Sequence, residues 1–210
     1  SIIGSSSRLK DCLKTVSLAA DSNANILLVG ETGTGKELFA RAIHEASSRK
    51  SGPLAVVDCT SLPKDLVESL LFGHARGSFT SAGAAREGLI RQAHTGTLFL
   101  DEVGELPLPL QKVFLRVLDE HRFRPLGSEQ EIDSDFRLVA ATNRNLEQMV
   151  DRGQFRADLL FRLRSYLIEL PPLRERADDV MELADYHQNR LCSRYQITPK
   201  RFTSDFQKML

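Results

Sequence analysis

A glycine-rich octapeptide, Gly30-Glu31-Thr32-Gly33-Thr34-Gly35-Lys36-Glu37, follows the apolar run Ile26 to Val29. Gly30, Gly35 and Lys36 satisfy the pattern G-x-x-x-x-G-K, in which glycines let backbone N–H groups curl around phosphate oxygens and the lysine neutralises the outer phosphates. The next residue is ordinarily Ser or Thr, whose hydroxyl ligates magnesium, but here it is Glu37, so a metal must be held elsewhere. A second group of candidates lies downstream, where Thr97-Leu98-Phe99-Leu100 runs into the acids Asp101 and Glu102. An apolar strand ending in Asp-Glu is the Walker B pattern, with Asp101 organising magnesium and Glu102 polarising the attacking water. Asp58 ends the run Leu54 to Val57, and Thr142-Asn143 end the run Phe136 to Ala141. Ligands of open parallel sheets lie at such carboxyl ends, although a carboxylate there also serves as a cap for the following turn. Thr142 and Asn143 are placed to hydrogen-bond a γ-phosphate or the lytic water.

These side chains need strands and helices to hold them. Leu9, Leu13, Val16 and Ala20 recur at helical spacing ahead of the first strand, and Leu38, Phe39, Ala42, Ile43 and Ala46 do so directly after the glycine loop. A helix is expected over Pro63 to Phe72, and another over Pro107 to His121 with Leu110, Val113, Phe114, Val117 and Leu118 on one face. With Tyr166 to Leu170 the apolar runs number five, which predicts an α/β fold with a parallel five-stranded sheet flanked by helices. Asp178 to Tyr195 reads as a helix with Val180, Leu183, Ala184, Leu191 and Cys192 inward, and a further short helix is expected after Pro199. The predicted division is an α/β nucleotide-binding unit over residues 1–173 and the beginning of a helical lid over 174–210.

The chain of 210 residues is 41% hydrophobic, enough for a substantial core, and its 28 basic and 28 acidic residues cancel. No overall field therefore draws it to nucleic acid or membrane. Cys12, Cys59 and Cys192 contain no C-x-x-C pair and fit buried thiols in a reducing cytoplasm, and the five histidines never fall at metal-ligand spacing. The apolar runs are too short for a membrane span, and a cytoplasmic location is expected. Two features stay open on residue chemistry alone. Ile2 and Ile3 suit either an adenine contact or ordinary core, and Arg156, Arg162 and Arg164 suit either a solvated face or a guanidinium offered to a neighbour's phosphates. Gly73 to Gly88 is too long and too plain for a connector, and Phe79 stands as a single aromatic among small residues, which suits a contact tip.

Taken together, the octapeptide, Leu71-Phe72-Gly73-His74, Gly96 to Glu102, Ala141-Thr142-Asn143, Phe155 to Leu159 and Leu170 to Arg176 resemble the AAA+ central domain of bacterial sigma-54-dependent transcription activators. Glu37 after the lysine is that family's own variant. The resemblance implies an AAA+ P-loop NTPase fold, ATP and Mg2+ as ligands, and a ring, typically hexameric, that binds ATP between subunits. It implies that Gly30 to Glu37 and the Ile2-Ile3 segment bind nucleotide, Asp101 serves the metal and Glu102 activates water. Thr142 and Asn143 would sense the γ-phosphate, and Arg156 and Arg162 would act on the next subunit. A loop at Gly77-Ser78-Phe79-Thr80-Ser81-Ala82 would contact the sigma-54 RNA polymerase holoenzyme, whose promoter complex ATP hydrolysis would open. DNA would be bound only through a domain outside this chain, which looks like an excised fragment.

Two positions depart from the family pattern. Its contact loop reads Gly-Ala-Phe-Thr-Gly-Ala, so Ser78 and Ser81 replace alanine and glycine, and Ser81 penalises a φ > 0 tip by about 1 kcal/mol. Asp58 stands where the family usually has an asparagine that hydrogen-bonds the Walker B glutamate, and an ionised aspartate cannot donate to Glu102. These departures motivate an alternative, a nucleotide-binding regulatory scaffold of the same fold with impaired sigma-54 contact or altered gating of hydrolysis.

Overall fold

A computed structural model describes residues 2–60, 64–77 and 85–203. Helix α1 (Ser7–Ala20) leads into β1 (Ile26–Val29), and the glycine loop joins β1 to α2 (Lys36–Ala46). Then come β2 (Leu54–Asp58), α3 (Lys64–Phe72), a two-stranded stem of β3 (Gly73–His74) and β4 (Arg86–Glu87), α4 (Leu89–Gln92) and β5 (Thr97–Asp101). Helix α5 (Leu108–Glu120) precedes a small hairpin of β6 (Arg122–Phe123) and β7 (Ile132–Asp133), followed by β8 (Arg137–Thr142), α6 (Leu146–Asp151), α7 (Ala157–Leu163), β9 (Tyr166–Glu169) and α8 (Asp178–Tyr195).

The five long strands form one parallel sheet in the order β2-β5-β8-β1-β9. Its two faces are both covered, which is why the strands read as continuous apolar runs rather than alternating ones. Leu27, Val57, Leu98, Leu100, Leu138 and Ala140 pack beneath α3, α5 and α7. Ile26, Leu28, Phe99, Val139, Ala141 and Ile168 pack beneath α1 and α2. The register sets Asp58 beside Asp101 and Val29 beside Thr142, so the polar strand ends share one edge.

Four side chains depart from their expected places. Val113 of α5 is exposed, and Gln111 is buried instead because its amide spans three chain segments, described below. Arg137, inside β8, is 1% exposed; its guanidinium donates to the carbonyls of Ala19, Ala20 and Ala24, completing the C-terminal end of α1, where a cation suits the helix dipole. Leu191, expected inward on α8, is 52% exposed, whereas Cys192 beside it is buried. In its opening turn the helix buries a polar position. The short helix expected after Pro199 is absent over residues 200–203, and its remainder lies outside the described residues.

That polar position is Asp179, fully buried and the anchor of the N-terminal segment. Its carboxylate accepts the N–H groups of Ser5 and Ser6 at 2.7 Å each and the Ser6 hydroxyl at 2.8 Å. Burial pushes the Asp179 carboxyl up, but these donors, with Arg176 nearby, more than offset it and hold the group below the ordinary aspartate range. The charged form is therefore favoured in the fold. Its contribution is complete above the unfolded value near ~4 and is lost as pH falls through the lowered native value. Asp179→Ala leaves buried donors without an acceptor and is expected to cost about 2–4 kcal/mol at neutral pH. Chemical denaturation should show that difference, and it should shrink on acidification below pH ~4; equal stability of the two chains at neutral pH would contradict the role given to Asp179.

Candidate phosphate-binding site

The glycine loop is shaped by its own backbone before any ligand arrives. The Glu31 carbonyl accepts the Thr34 N–H at 3.2 Å and the Thr34 hydroxyl at 2.8 Å, folding the loop back on itself. Gly35, at φ 95° and ψ 24°, turns the chain into α2 from a left-handed conformation that a side chain would strain. Gly30 is needed for a different reason: a Cβ there would stand 2.8 Å from the Thr34 hydroxyl and 3.0 Å from the Leu170 Cβ. The first N–H groups of a helix lack intrahelical acceptors, and the start of α2 directly after the glycine loop is therefore suited to an anion.

Lys36 points back across this loop and is 7% exposed. Its ammonium lies 3.1 Å from the Gly30 carbonyl and 3.5 Å from that of Glu31, and 3.0 Å from Glu102 Oε1. The second carboxylate oxygen of Glu102 accepts the Asn143 N–H at 2.9 Å, while the Asn143 side-chain amide donates to the Thr32 hydroxyl at 3.1 Å. The ends of β5 and β8 are thus tied to the loop after β1. Glu102 is held at φ 52° and ψ 54°, a left-handed conformation that costs a non-glycine residue about 1–2 kcal/mol and that its two partners help to offset.

Asp101 sits beside this pair, half-buried. Burial raises its carboxyl above the ordinary aspartate range, the Glu102 and Asp58 charges push the same way, and Lys36 opposes them. A carboxylate is the donor type that magnesium takes alongside substrate phosphates, and among the described residues no group of three or more His, Cys, Asp or Glu stands together to hold a metal ion without them. Asp58, exposed, accepts the Thr60 N–H at 2.8 Å and the Thr60 hydroxyl at 2.7 Å, both on one oxygen. It caps its own turn. Beneath it, burial and the surrounding carboxylates push the Cys59 thiol up to about 12, which keeps it protonated and inert.

The remaining candidates take other positions. Thr142 is fully buried, and its hydroxyl accepts the Arg144 N–H at 3.0 Å. Ile2 and Ile3 are half-buried, with Ile2 packed on the core between α1 and the sheet. Arg156 precedes α7 and forks onto Asp158 at 2.7 and 3.0 Å; Arg162, on α7, pairs with Asp119 at 3.2 Å and donates to the Leu118 carbonyl at 3.0 Å. Arg162 stands on the helix packed against α5, and Arg156 is its N-cap. Gly77 lies in the turn after β3, and the ends of the Gly73–Gly88 excursion are pinned together as the antiparallel stem of β3 and β4. Ser78, Phe79, Thr80, Ser81 and Ala82 lie outside the described residues.

Gln111 is a buried polar residue of α5 that joins three backbone segments. Fully buried, it donates to the carbonyls of Leu106 and Gln154 at 2.8 and 3.2 Å, and its own carbonyl accepts the Arg156 N–H at 2.9 Å. It thereby fixes the backbone from which Arg156 projects. A glutamine at a core-facing position of α5 was the available signal.

With this geometry in place, the likenesses to known proteins can be read. Residues 2–169 match the family described as the Sigma-54 interaction domain. The chain is 46% identical over 198 residues to the transcriptional regulatory protein GlrR of Escherichia coli (strain K12), covering 94% of this chain and 45% of that protein. It is 47% identical over 195 residues to the regulatory protein AtoC of the same strain, covering 93% of this chain and 42% of the relative. The chain therefore spans less than half the length of these relatives. Among solved structures, NtrX from Brucella abortus in complex with ATP aligns with a TM-score of 0.90 at 32% identity, over 97% of this chain and 44% of that one.

Proposed function

This chain belongs to the Sigma-54 interaction domain family and has the AAA+ P-loop NTPase fold, and from that premise we propose that it hydrolyses ATP to remodel the sigma-54 RNA polymerase closed complex. The observation that carries the reading is the convergence of Glu102 and Asn143, from two separate strand ends, on the glycine loop and its Lys36 at the start of α2. Lys36 would exchange Glu102 for phosphate oxygens, and Glu102, so released, would orient and polarise the attacking water. Asn143, bonded to both Glu102 and Thr32, would link the state of the loop to the position of that base. Thr142 would support this sensor from within the fold. Magnesium, held by Asp101, would supply charge neutralisation of the phosphates.

Arg156 and Arg162 lie on the surface with their guanidinium groups only partly engaged by exposed acids, which supports a role on the phosphates of a neighbouring subunit in a ring. Ile2 and Ile3 would flank the adenine. Residues 174–210 would begin a helical lid, and the Gly77–Ala82 tip, carried on the β3–β4 stem, would contact sigma-54 through Phe79 and Thr80. DNA would be bound by a segment outside this chain. The published NtrX complexes with ADP and ATP, at 32% identity, support adenine nucleotide as the ligand.

Thr80→Ala should leave ATP turnover near the wild-type level and reduce open-complex formation on a sigma-54 promoter by at least about tenfold, the loss of a hydrogen-bonding contact of roughly 1–2 kcal/mol. Unchanged promoter opening would reject the contact role. Asp58 favours a second reading, the nucleotide-responsive scaffold, because it stands at the strand end beside Asp101 and a carboxylate, unlike an asparagine, has no amide proton to give Glu102. Multiple-turnover ATPase and open-complex assays on the same preparation separate the two, since the scaffold binds ATP without opening promoters.

A further inference from the structure

The glycine loop is meant for a polyanion, yet it carries a carboxylate at its second position and another just past its lysine. Each is matched by a guanidinium. Glu37 pairs with Arg41 one turn along α2 at 2.7 Å, a local partner. Glu31 pairs with Arg174, 143 positions away in the chain, in a bidentate fork of 2.6 and 2.7 Å. Arg174 lies in the single 3-10 turn Leu173–Glu175 that follows Pro171 and Pro172. The two prolines and the Leu170 N–H bond to the Val29 carbonyl, 2.8 Å, hold that turn against the loop.

We propose that Arg174 is a positioning residue for nucleotide binding, which neutralises Glu31 so that the loop accepts a triphosphate and ties the loop to the segment leading into α8. This rests on the reading that the loop binds ATP. Glu31 is central to the loop, since its carbonyl receives the Thr34 N–H, the Thr34 hydroxyl and Lys36. The Arg174 hydrogen bonds keep the Glu31 carboxyl below its ordinary range and therefore ionised, so without Arg174 an uncompensated negative charge would stand next to the phosphates. The partner is exposed, which makes the pair a weak source of fold stability but leaves its charge effect on an incoming anion intact.

The test measures affinities of fluorescent ATP, ADP and adenosine for the wild-type chain, Lys36→Ala, Arg174→Ala and Arg174→Ala/Glu31→Gln, with circular dichroism to verify folding. Arg174→Ala should weaken ATP by about tenfold, ADP by less and adenosine hardly at all, because the penalty scales with ligand charge. Removing the Glu31 charge in the double variant should return ATP affinity to within about twofold of wild type, and the single-variant loss should shrink at higher ionic strength. Wild-type ATP affinity in Arg174→Ala, no recovery in the double variant, or an equal loss for adenosine would overturn the proposal. A wild-type chain that binds ATP no better than Lys36→Ala would instead overturn the ATP reading, and this inference with it.

Discussion

Lys36→Ala should lower ATP affinity by about a hundredfold or more while the chain stays folded. The side chain is almost completely withdrawn from water, and its ammonium is held over the loop by two carbonyls and one carboxylate, so its position is set before ligand arrives. Charge-assisted hydrogen bonds to phosphate contribute about 1.5–3 kcal/mol each, and losing one or two of them gives a change of that size. Arginine would not restore the function, because its planar fork is larger than the point charge the glycine cradle encloses. Titration with a fluorescent ATP analogue measures the effect, and thermal melting shows whether the fold survives. An affinity within threefold of wild type would remove Lys36 from the site.

Glu102→Gln should have the opposite profile, with ATP bound and hydrolysis reduced by about 10²–10⁴-fold. Glutamine has nearly the same shape and can still accept the Asn143 N–H, so the strained left-handed turn at 102 retains one of its two supports. It cannot accept a proton from water. It also gives up the ion pair with Lys36, so phosphate no longer competes with a carboxylate for that ammonium and ATP affinity should equal or exceed that of the wild type. Single-turnover hydrolysis under saturating ATP separates chemistry from binding and product release. Turnover within threefold of wild type would mean that another group activates the water, and Asp101, half-buried beside it, would be the next residue to replace.

Lys36 and Glu102 form an ion pair at 3.0 Å, both largely withdrawn from water. A phosphate in the loop would compete with Glu102 for Lys36. Asn143 adds a second link, because its backbone holds Glu102 and its side chain holds Thr32 of the loop. Asp58 accepts the Thr60 N–H and hydroxyl on one of its oxygens.

The local chemistry of this protein is written in short stretches of its sequence. Glycine spacing, apolar runs ending in acids and helical periodicity are set by neighbours within a few residues, so the loop, the five strands and most of the helices could be read directly. What tertiary structure alone decided is which strand ends adjoin. The crossovers place β8 between β5 and β1, which brings Glu102 and Asn143 onto a loop 66 or more positions earlier, and no periodicity encodes that neighbourhood. The same holds for buried polar side chains. Gln111, Arg137 and Asp179 look like surface residues by type, yet each is drawn inside because backbone groups from distant segments supply its hydrogen bonds. A buried polar group is tolerable only where its partners are, and those partners are fixed by packing across the whole chain.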